Sequence, residues 1–415
     1  MRLQDGDRLV LEYGGRAGCA QAHLDDFANE LWVLGFTPLT IIQHTVSVCH
    51  FGRWLLSRGL ELGGVTQDVL DQFAAHFPHC RCSVHHRHSF PRTLGHVRRF
   101  VAYLRGRGVV PLAPVTPPPA PPEALRGFRE WMQQHRGATA GTTVRFEKLL
   151  LGILPQLGPD PRMYEPARLR SVILDEGRRR GRHYARFLVT ALRAWLRFLT
   201  AEGRCPAHLD QALPTIVKWH LANLPQHLEL DEIERVIASC DARTPVGVRD
   251  RAILLLLARL GLRAADITGM RPGDIDWQQG SLRVRGKGRR EVCLPLPQDA
   301  GEALLEYLRH ARPLADIDQV FLCAQAPYRP FATSMVVADV VRFALRRAGI
   351  TRVRSQGAHL LRHSAATSML RAGASLEAIA TVLRHRSSET TVRYAKVDQA
   401  LLLAIAQPWP EGAPC

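Results

Sequence analysis

The run Pro111–Pro122, PLAPVTPPPAPP, constrains the fold of this chain more than any other stretch. Proline fixes φ and lacks a backbone N–H, so such a run cannot occupy a helix interior and favours an extended, semi-rigid spacer. The chain must therefore fold as separate pieces on either side of it. A second break is expected at Leu213–Pro225, where Pro214 and Pro225 bracket a short segment containing Trp219. The tail from Pro408, PWPEGAPC, has turn composition. These breaks predict a helical module at 1–110, a linker at 111–122, a second helical module at 123–215, a third domain at 228–406 and a tail at 407–415. At 415 residues, each domain can be large enough to bury its own core.

The first two modules resemble each other. One ends in Val97-Arg98-Arg99-Phe100-Val101-Ala102-Tyr103-Leu104 followed by Gly108, the other in Leu192-Arg193-Ala194-Trp195-Leu196-Arg197-Phe198-Leu199 followed by Gly203. Each opens with a helical stretch carrying a tryptophan, Trp32 or Trp131. The spacing predicts two small all-helical units in tandem. Arg92, Arg98, Arg99 and Arg105 in one, and Arg186, Arg193 and Arg197 in the other, recur at helical spacing beside apolar positions. Such helices can pack one face and offer the other to phosphates or to water.

Charge narrows the partners. The formal net charge of +17 attracts polyanions, nucleic acid first among them. The longest apolar run, Ala252–Leu262, is interrupted by Arg259 and is too short to span a bilayer, so no membrane partner is expected. No basic-then-apolar leader opens the sequence, and the nine scattered cysteines do not form the compact, even set of a disulfide framework. A reducing, cytoplasmic setting follows as the expectation. Cys80 and Cys82, with His79 and His85 to His88, have metal-ligating side chains among them, but Cys-x-Cys is not zinc-ribbon spacing. The segment reads as a basic loop between helices, and neither metal nor cofactor is expected.

In the third segment helical patterns dominate, giving a mainly α fold class with a small β-hairpin. Ser281–Pro295 alternates apolar and charged residues around a Gly286-Lys287-Gly288 turn, and a short strand is expected at Val320–Leu322. Thr333–Ala348 predicts an amphipathic helix closed by Gly349. Four local patterns then occur in order: GLRAADI with Arg263, GKGRR with Lys287, HLLRHS with His359 and Arg362, and LRHRS followed by TVRY with His385 and Tyr394. Arg263 follows a glycine break and is expected on a turn with its guanidinium reaching outward. His359 and Arg362, three apart, share a face if helical.

Singly, each pattern is commonplace; together they fit one reaction. A phosphodiester under attack gathers charge on its non-bridging oxygens, which Arg263 and Arg362 can clamp with paired charge-assisted hydrogen bonds. A phenol such as Tyr394 becomes a nucleophile when an imidazole takes its proton. Lys287 is suited to protonate the leaving oxygen, and fixed cations do the work of magnesium.

On these motifs, residues 228–406 resemble the catalytic domain of the tyrosine recombinase (phage integrase) family. The resemblance implies that Arg263, Lys287, His359, Arg362 and His385 are catalytic and that Tyr394 is the nucleophile. It implies cleavage and rejoining of double-stranded DNA sites through a 3′-phosphotyrosyl link, without a cofactor, for integration, excision or transposition of a mobile element. It also implies that 123–215 clamps DNA opposite the catalytic domain. The apolar Leu401–Ile405 would dock on a neighbouring subunit to build a homo-tetramer on synapsed DNA. The sequence departs from the family pattern at Leu360, where Asp is frequent, and at Arg384, where Gly is common; His363 reads as structural. A catalytically dead relative and a topoisomerase-like nicking–closing enzyme remain as alternatives.

Overall fold

The computed structural model describes residues 2–4, 8–10, 17–80, 90–112, 123–216, 226–285, 291–353, 356–384, 391 and 394. Two compact units emerge, one joining 1–113 with 221–415 and the other spanning 114–220. As the periodicity predicts, helices dominate both.

The N-terminal part of the first unit opens on a two-stranded antiparallel ribbon, β1 (Arg2–Gln4) and β2 (Arg8–Val10), which the helical reading of the sequence did not anticipate. Helices α1 (Leu24–Val33), α2 (Pro38–Ser57), α3 (Gln67–His76) and α4 (Phe90–Gly106) follow. Thr37 and Thr66 cap α2 and α3 with side-chain oxygens, and Pro38 starts α2 where its missing N–H costs nothing. Phe27, Phe51, Phe73 and Phe100 fill the core between these helices. At Gly52 a Cβ would come within 2.1 Å of the Ala17 carbonyl oxygen, so glycine is what lets α2 lie against the preceding turn.

The same core buries His44 between the rings of Phe36 and His96, the latter only 4.0 Å away. Burial, then repulsion from His96 and Arg99, pushes the His44 pKa down to about 3. An unfolded chain protonates this imidazole near its ordinary 6.5 while the folded chain does not. Below that pH the unfolded state therefore binds the extra proton. Stability is full above 6.5 and falls progressively as pH drops toward 3. Urea unfolding of His44→Gln across that interval should show a shallower acid loss than the wild type; parallel pH profiles would refute the assignment.

The described residues of the second unit carry four α-helices, α5 (Glu123–Arg136), α6 (Ala140–Leu157), α7 (Pro166–Arg180) and α8 (Arg182–Ala201). Phe128, Trp195 and Phe198 meet at its centre with ring centroids 5.5–5.8 Å apart. Buried Glu147 accepts a two-pronged contact from Arg129 at 2.6 and 2.5 Å. Several arginines that the sequence placed on outward faces are engaged internally. Arg193 donates to the Asp210 and Leu213 carbonyls, Arg197 pairs with the Asp210 carboxylate at 2.8 Å, and in the first unit Arg99 lies over the Phe36 ring. Arg145 and Arg186, by contrast, line an open cleft with Thr142 and Phe187.

The C-terminal part of the first unit is built around α10 (Pro245–Leu260), whose residues Ala252 to Ala258 are all buried. It follows α9 (Leu230–Ala238) and leads into the short α11 (Ala264–Gly269). Strands β3 (Ile275–Asp276), β4 (Ser281–Arg285) and β5 (Glu291–Pro295) form one antiparallel sheet, with Leu282 opposite Leu294 and Arg285 opposite Glu291. Leu282 and Val284 face the core and Arg283 and Arg285 face out, the alternation that identified the hairpin. Lys287 and its flanking glycines lie outside the described residues. Helices α12 (Gln298–Glu306), α13 (Met335–Arg347), α14 (Ala358–Arg371) and α15 (Leu376–Val382) complete the part.

The expected strand at Val320–Leu322 is not one. Those residues are fully buried, but the ladder reduces to a single bridge between Leu322 and Pro330. The Arg312 guanidinium takes the carbonyls of Ile317, Gln319 and Val320 instead, which satisfies the backbone without a partner strand.

Candidate active site

Helix α10 stops at Gly261, which adopts φ +58 in the left-handed region. A Cβ there would press within 2.6 Å of Leu383 and close on Ala365, so glycine both turns the chain and admits the facing helices. The turn delivers Arg263 to the N-cap of α11, where its backbone N–H donates to Asp266 at 2.7 Å. Its guanidinium does not reach outward as the sequence suggested. It is half-buried and turns across the fold, donating to the carbonyls of Leu383 (3.3 Å) and Arg384 (2.8 Å).

Arg362 approaches the same turn from α14. Its side chain is buried, and it donates to the carbonyls of Gly261 and Leu383. Two arginines nearly a hundred residues apart in sequence thus share the Leu383 carbonyl. His359, one turn earlier on α14, opens to solvent. Protein atoms packed around its ring, then Arg362 and Arg263, hold its pKa below the usual imidazole value. Its neutral form is therefore favoured, as a proton acceptor requires.

Arg384 completes the cluster. It sits at φ +54, a conformation that disfavours any side chain, which explains why glycine is common at this position in the family the motifs resemble. Its side chain is only 6% exposed and pairs with Asp266. Three guanidiniums, from Arg263, Arg362 and Arg384, therefore surround one carboxylate. Burial, then Arg263 and Arg384, pushes the Arg362 pKa down to about 10. It stays cationic at neutral pH, and the site carries excess positive charge where an anion would be welcome. The Nε and Nη1 atoms of Arg384 are buried without a hydrogen-bond partner among the described residues.

Tyr394 is buried against Ala366, Leu370, Ile379 and Leu383. Its hydroxyl lies 2.7 Å from Nδ1 of His363, the histidine that the sequence reading had taken as structural. The rings of His363 and His359 stack at 6.3 Å along α14. The i, i+4 spacing of the two histidines was the available signal, and the sequence reading passed over it. The structure thus brings Arg263, His359, Arg362 and Tyr394 to one neighbourhood. His385 and Lys287 lie outside the described residues.

Residues 226–400 match the phage integrase family. The whole sequence is 31% identical over 413 residues to y4rF of Sinorhizobium fredii (strain NBRC 101917 / NGR234), a protein with an integrase/recombinase name. That alignment covers 96% of this chain and 93% of the relative. A second protein of that strain with the same kind of name, y4rA, is 44% identical over 230 residues; the match spans 55% of this chain and 56% of the relative, little more than half its length. Among solved structures, the XerH site-specific recombinase bound to its palindromic difH substrate after cleavage superposes with a TM-score of 0.54. That match has 19% identity and covers 68% of this chain and 83% of that one, a likeness of fold. The chain belongs to the phage integrase family, the tyrosine recombinases that the four motifs resemble. No helix among the described residues is long and apolar enough to cross a membrane.

Proposed function

We propose that this protein is a site-specific DNA recombinase of a mobile element, acting in the cytoplasm as a tetramer on two synapsed double-stranded sites. Arg263, Lys287, His359, Arg362, His385 and Tyr394 would be its catalytic residues. The observation that carries the reading is the convergence of Arg263 and Arg362 on the turn at Leu383, within the segment that leads to Tyr394. The Tyr394 oxygen attacks the scissile phosphorus, a P–O bond to the phenol forms and the bond to the 5′ oxygen breaks. The phenol proton passes to an imidazole, and the departing oxygen takes a proton from Lys287. His363 holds the hydroxyl in this structure and so joins His359 and His385 as a candidate acceptor.

The arginines contribute as negative charge builds on the phosphoryl oxygens, which lowers the barrier rather than only tightening binding. A free 5′-hydroxyl of a partner strand then reverses the attack, so bond energy is conserved without a nucleotide cofactor. The excess positive charge of the sequence and the Arg145–Arg186 cleft of the second unit support DNA as the partner. The Leu401–Ile405 segment proposed to join subunits lies outside the described residues. A suicide substrate nicked beside the element's own ends should trap a covalent adduct, and peptide mapping should place the nucleotide on Tyr394. Absence of any adduct on those ends would favour a binding-only relative.

A further inference from the structure

Among the described residues, one cluster of metal-ligating side chains stands apart from the arginine site. His50 lies on α2, His76 ends α3, and Cys80 follows the single 3-10 turn Phe77–His79. Their ligand atoms all fall within 4.8 Å of one another. His50 is buried, His76 and Cys80 are half-buried, and Cys80 is not in a disulfide. Reading the sequence locally grouped Cys80 with Cys82 and the histidines after it, at a spacing that argued against zinc. The fold instead pairs Cys80 with two histidines from other helices, and the Cys-x-Cys objection does not apply to that set.

We propose that His50, His76 and Cys80 form a structural metal site in the N-terminal module, suited to zinc. The donors are two imidazoles and one thiolate, the borderline-soft set zinc prefers over magnesium or calcium. The sulfur–nitrogen separation agrees. Tetrahedral zinc with ordinary Zn–S and Zn–N bonds places a sulfur and a nitrogen ligand about 3.6 Å apart. Sγ of Cys80 and Nε2 of His50 are 3.6 Å apart here.

The surroundings fit a structural role. Phe73, Phe77 and Trp54 enclose the two imidazoles, with Phe73 and Phe77 each within 5.5 Å of the His50 ring. Such a wall limits access of water and fixes ring orientation. The ion would fasten the middle of α2 to the end of α3, beside the ring contacts of His50 with Phe73 and His76. Binding takes the Cys80 thiol to its thiolate and releases that proton to solvent. One tetrahedral position remains for solvent or a further donor. None of the proposed catalytic residues belongs to the cluster.

The test uses full-length protein without a histidine tag. Metal analysis after purification should give about one zinc per chain. Cobalt exchanged into the site should show a thiolate-to-metal charge-transfer band in the near ultraviolet. Cys80→Ser should lose that band and most of the zinc while keeping the wild-type helical circular dichroism. His76→Gln serves as a second variant should the serine form fail to fold. A chelator should lower the melting temperature of the wild type and leave that of the variant unchanged. Metal-free protein that shows no band with added cobalt overturns the proposal, leaving a plain Cys80–His50 hydrogen bond. Full metal retention in both variants also overturns it, because the donors would then be others, such as Cys82 or His85.

Discussion

Tyr394→Phe is expected to bind DNA as the wild type does and to form no covalent adduct on a nicked suicide substrate. The substitution removes one oxygen and leaves the ring, so packing against Leu370, Ile379 and Leu383 is retained. The loss to the fold includes the hydrogen bond to His363, worth about 0.5–1.5 kcal/mol, too little to unfold a domain of this size. Under the proposed mechanism the loss to chemistry is complete, because no other atom in the ring can bond to phosphorus. Gel-shift titration and denaturing electrophoresis of the same samples separate the two effects. An adduct that survives in the variant would mean that another residue is the nucleophile.

Asp266→Ala should have the largest effect on stability. Asp266 and Arg384 are each only 6% exposed at the side chain, and Asp266 also accepts the N–H of Arg263. Removing the carboxylate strands Arg384 among two other guanidiniums with no counter-charge. Breaking a buried pair from one side costs about 3–5 kcal/mol, and the lost helix cap adds about 1 kcal/mol. Urea titration followed by tryptophan fluorescence should show the transition of the first unit moving to markedly lower denaturant. The doubly substituted Asp266→Ala, Arg384→Gly protein should recover much of the loss, since it removes the stranded charge and relaxes a left-handed residue. A single variant as stable as the wild type would show that the pair is not the counterweight described.

Much of the catalytic domain was legible in the sequence because its signals are local. The alternation of Leu282, Arg283, Val284 and Arg285 marks a strand whatever lies around it, and the glycine at 261 marks the end of a helix. The convergence of Arg263 and Arg362 was legible only as chemistry: residue types that belong to one reaction. Their mutual carbonyl, Leu383, could not be read because it lies 120 residues from Arg263. The Arg384–Asp266 pair, 118 residues apart, was hidden for the same reason, though the departure from glycine at 384 pointed to the position. Val320–Leu322 misled in the other direction. Its apolar run reported burial, and burial with isolated backbone contacts to Met270 and Arg329 rather than a continuous ladder does not make a strand.

The carbonyls of the Leu383–Arg384 turn accept hydrogen bonds from both arginines, and the turn lies on the path of the chain between α15 and Tyr394. Assembling the arginine cluster and seating the proposed nucleophile therefore draw on the same turn. A chain that lets go of this turn would loosen the paired arginines and the packing of the phenol against Leu383 together.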